Sequence, residues 1–268
     1  MHGVAELIVN LGGNIVHAEQ HVDREAGVFF QRVEFDFDGR RFGREQIAAA
    51  FDEQVGRRFD MTAQVRFGDE RPRLAVLASR ESHCLADLLG RWRAGELPAE
   101  IVTVVSNHTE HAELAAFHGL PYHVLPVTPA TTVTQDAELL GLLSRYRVEL
   151  VVLARYMQVL GPAVLAEYPA RIINIHHSFL PAFSGARPYH QAQQRGVKVI
   201  GATAHYVTAD LDEGPIIAQD VTQVSHRDSV SDLVRKGRDL ETVVLARAVR
   251  AHVEHRTLVF GNKTVVFA

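Results

Sequence analysis

A single cysteine, Cys84, stands in a chain of 268 residues. That excludes an intramolecular disulfide and every two-cysteine metal or redox motif, and it fits a reducing compartment. Nor does one sign of charge dominate: 28 Lys and Arg face 32 Asp and Glu, for a formal charge of -4. The basic field that non-specific nucleic-acid binding requires is therefore missing. No apolar run approaches the roughly 20 residues of a membrane span, and the opening MHGVAELIVNLGGN has neither a basic n-region nor a small-residue cleavage pattern. A cytoplasmic protein without membrane or nucleic-acid partners is expected. With 47% hydrophobic and 22% charged residues, the chain is too apolar for disorder and long enough to bury a sizeable core.

Several catalytic signatures are absent as well. Fifteen histidines include no His-Glu-x-x-His, and His176 and His177 should diverge on a persisting strand, which argues against zinc. Ser178 lacks the Gly-x-Ser-x-Gly elbow, and Ser184-Gly185 has no strand-to-helix context. The turn Ser79-Arg80-Glu81-Ser82-His83 lacks the glycines that let backbone amides cradle a phosphate. Cys84, near a helix start, reads as a buried structural thiol.

What the chain does contain divides at Gly68 to Arg73, a polar stretch with Gly and Pro between apolar segments. Residues 1–68 read α-β-β-α-β: a helix at Val4 to Leu11, strands at Asn14 to Val22 and Gly27 to Phe37, a helix at Arg44 to Val55, and a strand at Met61 to Phe67. Residues 73–268 alternate strand and helix, with strands at Leu74 to Ala78, Ile101 to Val105, Tyr122 to Val127 and Leu150 to Ala154. Helices at His83 to Arg93, His111 to His118 and Ala137 to Tyr146 separate them. Such spacing predicts an α/β fold with a mostly parallel sheet covered on both faces. Strands follow at Arg171 to Ile175, Val197 to Val207 and Pro215 to Val224. A capping box at Ser229 and Asp232 then opens a long helix, and a terminal hairpin turns at Gly261-Asn262.

The chemistry concentrates after residue 171. On a strand ending near Ile175, Asn174 and His176 share a face, and an amide beside an imidazole offers two hydrogen-bond donors to a polarised carbonyl oxygen. Spacing alone leaves open that Asn174 ends the strand and both histidines satisfy backbone carbonyls. Thr203, His205 and Val207 share another strand face, followed by the acidic turn Asp210-Leu211-Asp212-Glu213-Gly214. Asp212 is better placed than Asp210 to act beside a histidine, because Gly214 permits close backbone approach; a solvated acidic turn is the alternative.

These segments, with Asn14-Ile15-Val16, His83 to Leu89 and above all Asn174 through Ala192, resemble the formyltetrahydrofolate deformylases over nearly the whole chain. The resemblance implies an N-terminal ACT-type (ferredoxin-like) domain joined to a Rossmann-like formyltransferase domain. It implies hydrolysis of 10-formyltetrahydrofolate to tetrahydrofolate and formate, supplying formate for purine synthesis and balancing the one-carbon pool. By the same resemblance Asn174 and His176 polarise the formyl oxygen, Asp212 positions or deprotonates the attacking water, and His205 supports them. Arg155, Tyr156, Met157, Gln158, Val159 and Leu160 match the folate-binding stretch, although Met157, Val159 and Leu160 would otherwise read as ordinary core.

No metal or redox cofactor is implied, the partner is the folate substrate, and a homo-oligomer, dimer or tetramer, is expected. His177, in place of the proline usual in the related transferases, Phe179 and the run Gly185 to His190 favour water as acceptor, as does the glycine-poor turn after Ala78. The alternatives are a formyl transferase with an amine acceptor and a non-catalytic folate or amino-acid sensor. One departure is that the chain starts at the first helix, without the opening strand of an ACT-type order. That is compatible with a sequence shortened at its start or with a domain serving mainly in assembly.

Overall fold

Val4, Leu7, Ile8 and Leu11 recur at helical spacing. In the computed structural model α1 (His2–Asn10) and its C-terminal turn bury them with Ile47 and Val55 in one small core. The structure describes residues 2–37, 43–127, 132–181 and 188–268. β1 (Asn14–Asp23) and β2 (Val28–Asp36) pair antiparallel, and in the turn between them Asp23 Oδ1 accepts from the amides of Glu25 and Ala26. After α2 (Arg44–Phe51) come a π-helical turn at Asp52–Gly56 and a last helical turn, α3 (Arg57–Phe59).

The strand expected at Met61 to Phe67 does not form. Met61, Val65 and Phe67 still settle on the helical core. However, among the described residues β1 and β2 pair only with each other, so the segment has no strand neighbour, and a strand exists only through such a ladder. The chain divides into two compact units, Met1–Glu70 with Phe267–Ala268, and Arg71–Val266.

In the larger unit the alternation is β3 (Arg73–Ala78), α4 (His83–Arg93), β4 (Glu100–Ser106), α5 (Ala112–Phe117), β5 (Tyr122–Val124), α6 (Thr132–Arg145) and β6 (Leu150–Ala154). Next come α7 (Pro162–Glu167), β7 (Ile172–His176), α8 (Pro188–Arg195), β8 (Val199–Tyr206) and β9 (Ile216–Gln223). The long α9 (Val230–Val253) and the hairpin of β10 (Thr257–Phe260) and β11 (Lys263–Val266) complete it. The capping box at Ser229 and Asp232 is present. Neither α7 nor α8 is long enough to show a helical period. Gly161-Pro162, with proline in the first turn, is the local sign of α7.

The sheet runs β5-β4-β3-β6-β7-β8-β9, parallel through β7 and antiparallel at β8 and β9. Leu74, Val76 and Ala78 pack on one face, while Ala75 and Leu77 pack on the other. Burial on both faces is why β3 and β6 are continuous apolar runs rather than alternating ones. β3 leads outward to β4 and β5, and the chain then crosses back to β6 on the other side of β3. That reversal opens a crevice beyond the carboxyl ends of β3 and β6, the usual ligand position in such sheets. Among the described residues no helix is long and apolar enough to cross a membrane.

Candidate active site

On β7, Ile173 and Ile175 are buried against the α9 side, so Asn174 and His176 face the opposite way. The antiparallel register sets Asn174 directly across from His205. Residues 31 positions apart thereby meet, with Asn174 Nδ2 at 3.3 Å from His205 Nε2. His205 Nδ1 lies 2.9 Å from the Tyr206 carbonyl, to which it can only donate. Nε2 is then the acceptor of the neutral ring, and the Asn174 amide presents its NH2 to it. One N–H of that amide remains for another acceptor. Thr203, on the same strand, holds the following turn instead: its hydroxyl donates to the Ser178 carbonyl and accepts from the Leu180 amide. Val207 lies just past the end of β8.

Asp212 arrives on the β8–β9 connection with φ +58°, a left-handed conformation that aspartate tolerates better than most residues. Close approach to β8 requires Gly214, where an added Cβ would stand 1.8 Å from the Tyr206 carbonyl oxygen. The turn thus brings Asp212 Oδ2 to 3.1 Å from His176 Nδ1 and Oδ1 to 3.6 Å from His205 Nε2. Hydrogen bonding from His176 holds the Asp212 carboxyl well below the usual carboxylate range, overcoming the burial that would raise it. His176 Nε2 is buried without a hydrogen-bond partner. The expected divergence of His176 and His177 is not found: β7 ends at His176, the chain turns, and the rings stack with centroids 4.9 Å apart at 24°.

The segment after β6 divides into two kinds of residue. Tyr156 and Leu160 belong to the core with Val164 and Tyr168, and the Tyr156 hydroxyl meets Gln135. Met157 and Val159 are 57% and 74% exposed, with half-buried Gln158 between them. Arg155 takes a left-handed φ of +61°. Ser79, at the end of β3, ties this segment down: its hydroxyl accepts from the Met157 amide at 3.0 Å and donates to Asn107 Oδ1 at 2.7 Å. Leu211, beside Asp212, is also exposed. Of the run Gly185 to His190, residues 185–187 lie outside the described residues, and Tyr189 and His190 belong to α8.

Sequence inspection missed a buried polar cluster beneath the site. Glu241 on α9 is 1% exposed and takes hydrogen bonds from His83 Nε2 at 2.7 Å and the Tyr189 hydroxyl at 2.8 Å. Arg155 Nε lies 3.3 Å away. Burial pushes the Glu241 carboxyl up, but the His83 hydrogen bond and the Arg155 charge outweigh it and hold the carboxyl below its ordinary value. A signal was present: Glu241 shares the stripe of Val244, Leu245, Ala248 and Val249, where a solvated residue does not belong. His83, Cys84 and Glu241 place ligand-type atoms within 4.8 Å of one another. Burial and Glu241 keep the Cys84 thiol protonated, and Arg155 already supplies a cation, so the set suits a metal poorly.

A family model for formyl transferases matches residues 72–249. The formyltetrahydrofolate deformylase of Synechocystis is 53% identical over 99% of this chain and 93% of its own length. The chain belongs to the formyltetrahydrofolate deformylases. The Bacillus subtilis deformylase is 48% identical, covering 98% of this chain and 88% of the relative. The crystal structure of a deformylase from Pseudomonas syringae pv. tomato superposes with a TM-score of 0.96 at 48% identity, covering 99% of this chain and 89% of that one. Within this deformylase fold, the four clustered side chains Asn174, His176, His205 and Asp212 sit where β7 meets its first antiparallel neighbour.

Proposed function

We propose that this chain hydrolyses 10-formyltetrahydrofolate to tetrahydrofolate and formate, with Asn174, His176 and Asp212 as the catalytic residues and His205 holding Asn174. The observation that carries the assignment is the joint placement of His176 Nδ1 on Asp212 and of an amide N–H from Asn174 beside them. Asp212 is a fixed anion, so Nδ1–H of His176 points to it and Nε2 remains for the reaction. Neutral His176 accepts a proton from water as the water oxygen bonds to the formyl carbon. The resulting imidazolium is stabilised by Asp212. Its Nε2–H and the free N–H of Asn174 then donate to the oxyanion. The same proton passes to N10 as the C–N bond breaks, and formic acid ionises to formate. Water, one proton carrier and two donors balance the reaction, which calls for no metal or redox cofactor.

Met157 and Val159 are the exposed apolar residues for the folate, with the Arg155 to Leu160 backbone fixed by Ser79. Water is favoured over a phosphate-bearing amine because the turn after β3 presents Glu81, paired with Arg238, rather than glycine amides. Assembly as a homo-oligomer in the cytoplasm completes the proposal: β1 leaves Val16 and Val22 exposed on a two-stranded sheet, whose edges a second copy would cover. Sedimentation of the purified protein as a monomer would remove that part.

The deciding experiment is single-substrate turnover of 10-formyltetrahydrofolate with no amine acceptor, following both products. Equal release of tetrahydrofolate and formate is expected, lowered roughly 10²–10³-fold in Asn174→Ala. Release only on addition of an amine would make the protein a transferase, and tight folate binding without turnover would make it a sensor.

A further inference from the structure

The polar cluster around Glu241 is connected to the reaction centre by an unbroken series of contacts. Arg155 Nε faces Glu241 at 3.3 Å, and its NH1 donates to His177 Nδ1 at 2.7 Å. The His177 ring stacks on His176, and His176 Nδ1 meets Asp212. Each link constrains the next. An arginine can only donate, so His177 Nδ1 must be an unprotonated acceptor and its proton must sit on Nε2. A ring held at one nitrogen by a planar guanidinium has a fixed plane, and the His176 ring is packed against that plane at 24°.

Arg155 would not hold this position unaided. Its backbone is left-handed, and its guanidinium lies between His177 and the buried Glu241 carboxylate, whose charge opposes its own. That carboxylate is itself fixed from two further elements. Tyr189 of α8 reaches it across the one bare position of the helix face, Gly237, where a Cβ would stand 1.9 Å from the tyrosine hydroxyl. His83 of α4 reaches it from the other side. A buried carboxylate with three such partners is costly to build, since desolvating each charge costs several kcal/mol, and apolar packing of similar volume would serve stability as well.

We propose that Glu241 is a positioning residue for hydrolysis: through Arg155 and His177 it fixes the ring plane against which His176 is aligned toward Asp212. The proposal rests on His176 being the reacting histidine. The groups facing His177 are Arg155, His176, Tyr189, Glu241 and Asp212.

The test uses the full chain labelled with 15N-histidine, reading ring tautomers by long-range 1H–15N correlation beside steady-state kinetics. In the unmodified protein His177 shows an unprotonated Nδ1 and a protonated Nε2. In Glu241→Gln, which keeps the shape and the Tyr189 contact but removes the charge, the His177 signals become those of a tautomer mixture. There kcat falls roughly 10–100-fold, the scale found at metal sites when the hydrogen-bond partner that orients a ligating histidine is removed, while KM stays within about threefold. Glu241→Asp recovers part of the loss. A folded Glu241→Gln protein with the original His177 tautomer and kcat within about twofold overturns the proposal. If Glu241→Gln does not fold, Arg155→Gln carries the same test, and an unchanged His177 tautomer there overturns it. Failure of the site assignment looks different: His176→Ala would then retain turnover, whatever the His177 signals show.

Discussion

Two carboxylates in this molecule have the same kind of partners and opposite uses. Asp212 faces two histidines from a left-handed turn and is 22% exposed; Glu241 faces a histidine, a tyrosine and an arginine from the middle of α9 and is 1% exposed. Around Glu241 both oxygens are occupied and every partner is held by a different helix or strand end. Around Asp212 the pairing leaves one imidazole nitrogen of His176 without a partner and one amide N–H of Asn174 available. Pairing of charge is common to both clusters, and the difference lies in what remains unused. The carboxylate whose histidine keeps a nitrogen free at the crevice can do chemistry, and the one whose two oxygens are both taken by hydrogen bonds, with Arg155 Nε beside it as an ion pair only, holds geometry.

The sharpest way to break this comparison is to remove each charge and measure both rate and stability. Asp212→Asn should cut kcat by roughly 10³–10⁴-fold, the scale seen when the orienting carboxylate of such a pair is neutralised, with unfolding free energy in urea within about 1 kcal/mol. Glu241→Leu should instead lose about 3–5 kcal/mol of stability, because Arg155 would remain as a buried charge without its counter-ion. Equal stability losses in the two variants would show that the clusters are not distinct in kind.

A smaller effect separates the clusters by pH. Burial, then the Arg155 charge, lower the His177 pKa to about 4, whereas an unfolded histidine titrates near 6.5. Between those values the unfolded chain binds the extra proton, so stability is full above about pH 6.5 and falls as pH drops toward 4, by of the order of 2–3 kcal/mol. Asp212 works in another window. Its depressed carboxyl contributes stability that is present above the unfolded value near 3.9 and is lost only below it. Urea unfolding at pH 7.0 and 4.5 should show the loss in the unmodified protein and a flatter dependence in His177→Gln. An equal slope in both would remove His177 as its source.

Much of this architecture was readable because it is periodic. The buried runs of β3 and β6 and the capping box of α9 announce themselves locally, and the parity of Asn174 and His176 places both on one face without a structure. Gly214 pointed to Asp212. The Asn174–His205 pair was not legible in the same way, since it depends on a register between strands 31 positions apart. Met61 to Phe67 failed as a strand because an apolar segment cannot supply its own ladder partner. His176 and His177 stack because β7 stops one residue later than its apolar run, at His176. Glu241 was overlooked because a glutamate in a long helix is usually solvated, although its place on the apolar stripe marked it otherwise.

The smallest expected effect sharpens the comparison at single-residue scale, within the segment after β6. Leu160 is core and Val159 is 74% exposed, so the chain spends adjacent apolar residues on two different purposes. Val159→Ser removes nothing from the packed interior, and its stability should stay within about 0.5 kcal/mol of the unmodified protein, as for other surface changes. If the exposed side chain covers the folate, the loss falls equally on bound substrate and transition state. KM should then rise roughly three- to tenfold with kcat unchanged, the signature of uniform binding. An unchanged KM would leave Val159 as an ordinary exposed residue and assign the apolar side of the folate site to Met157 and Leu211 instead.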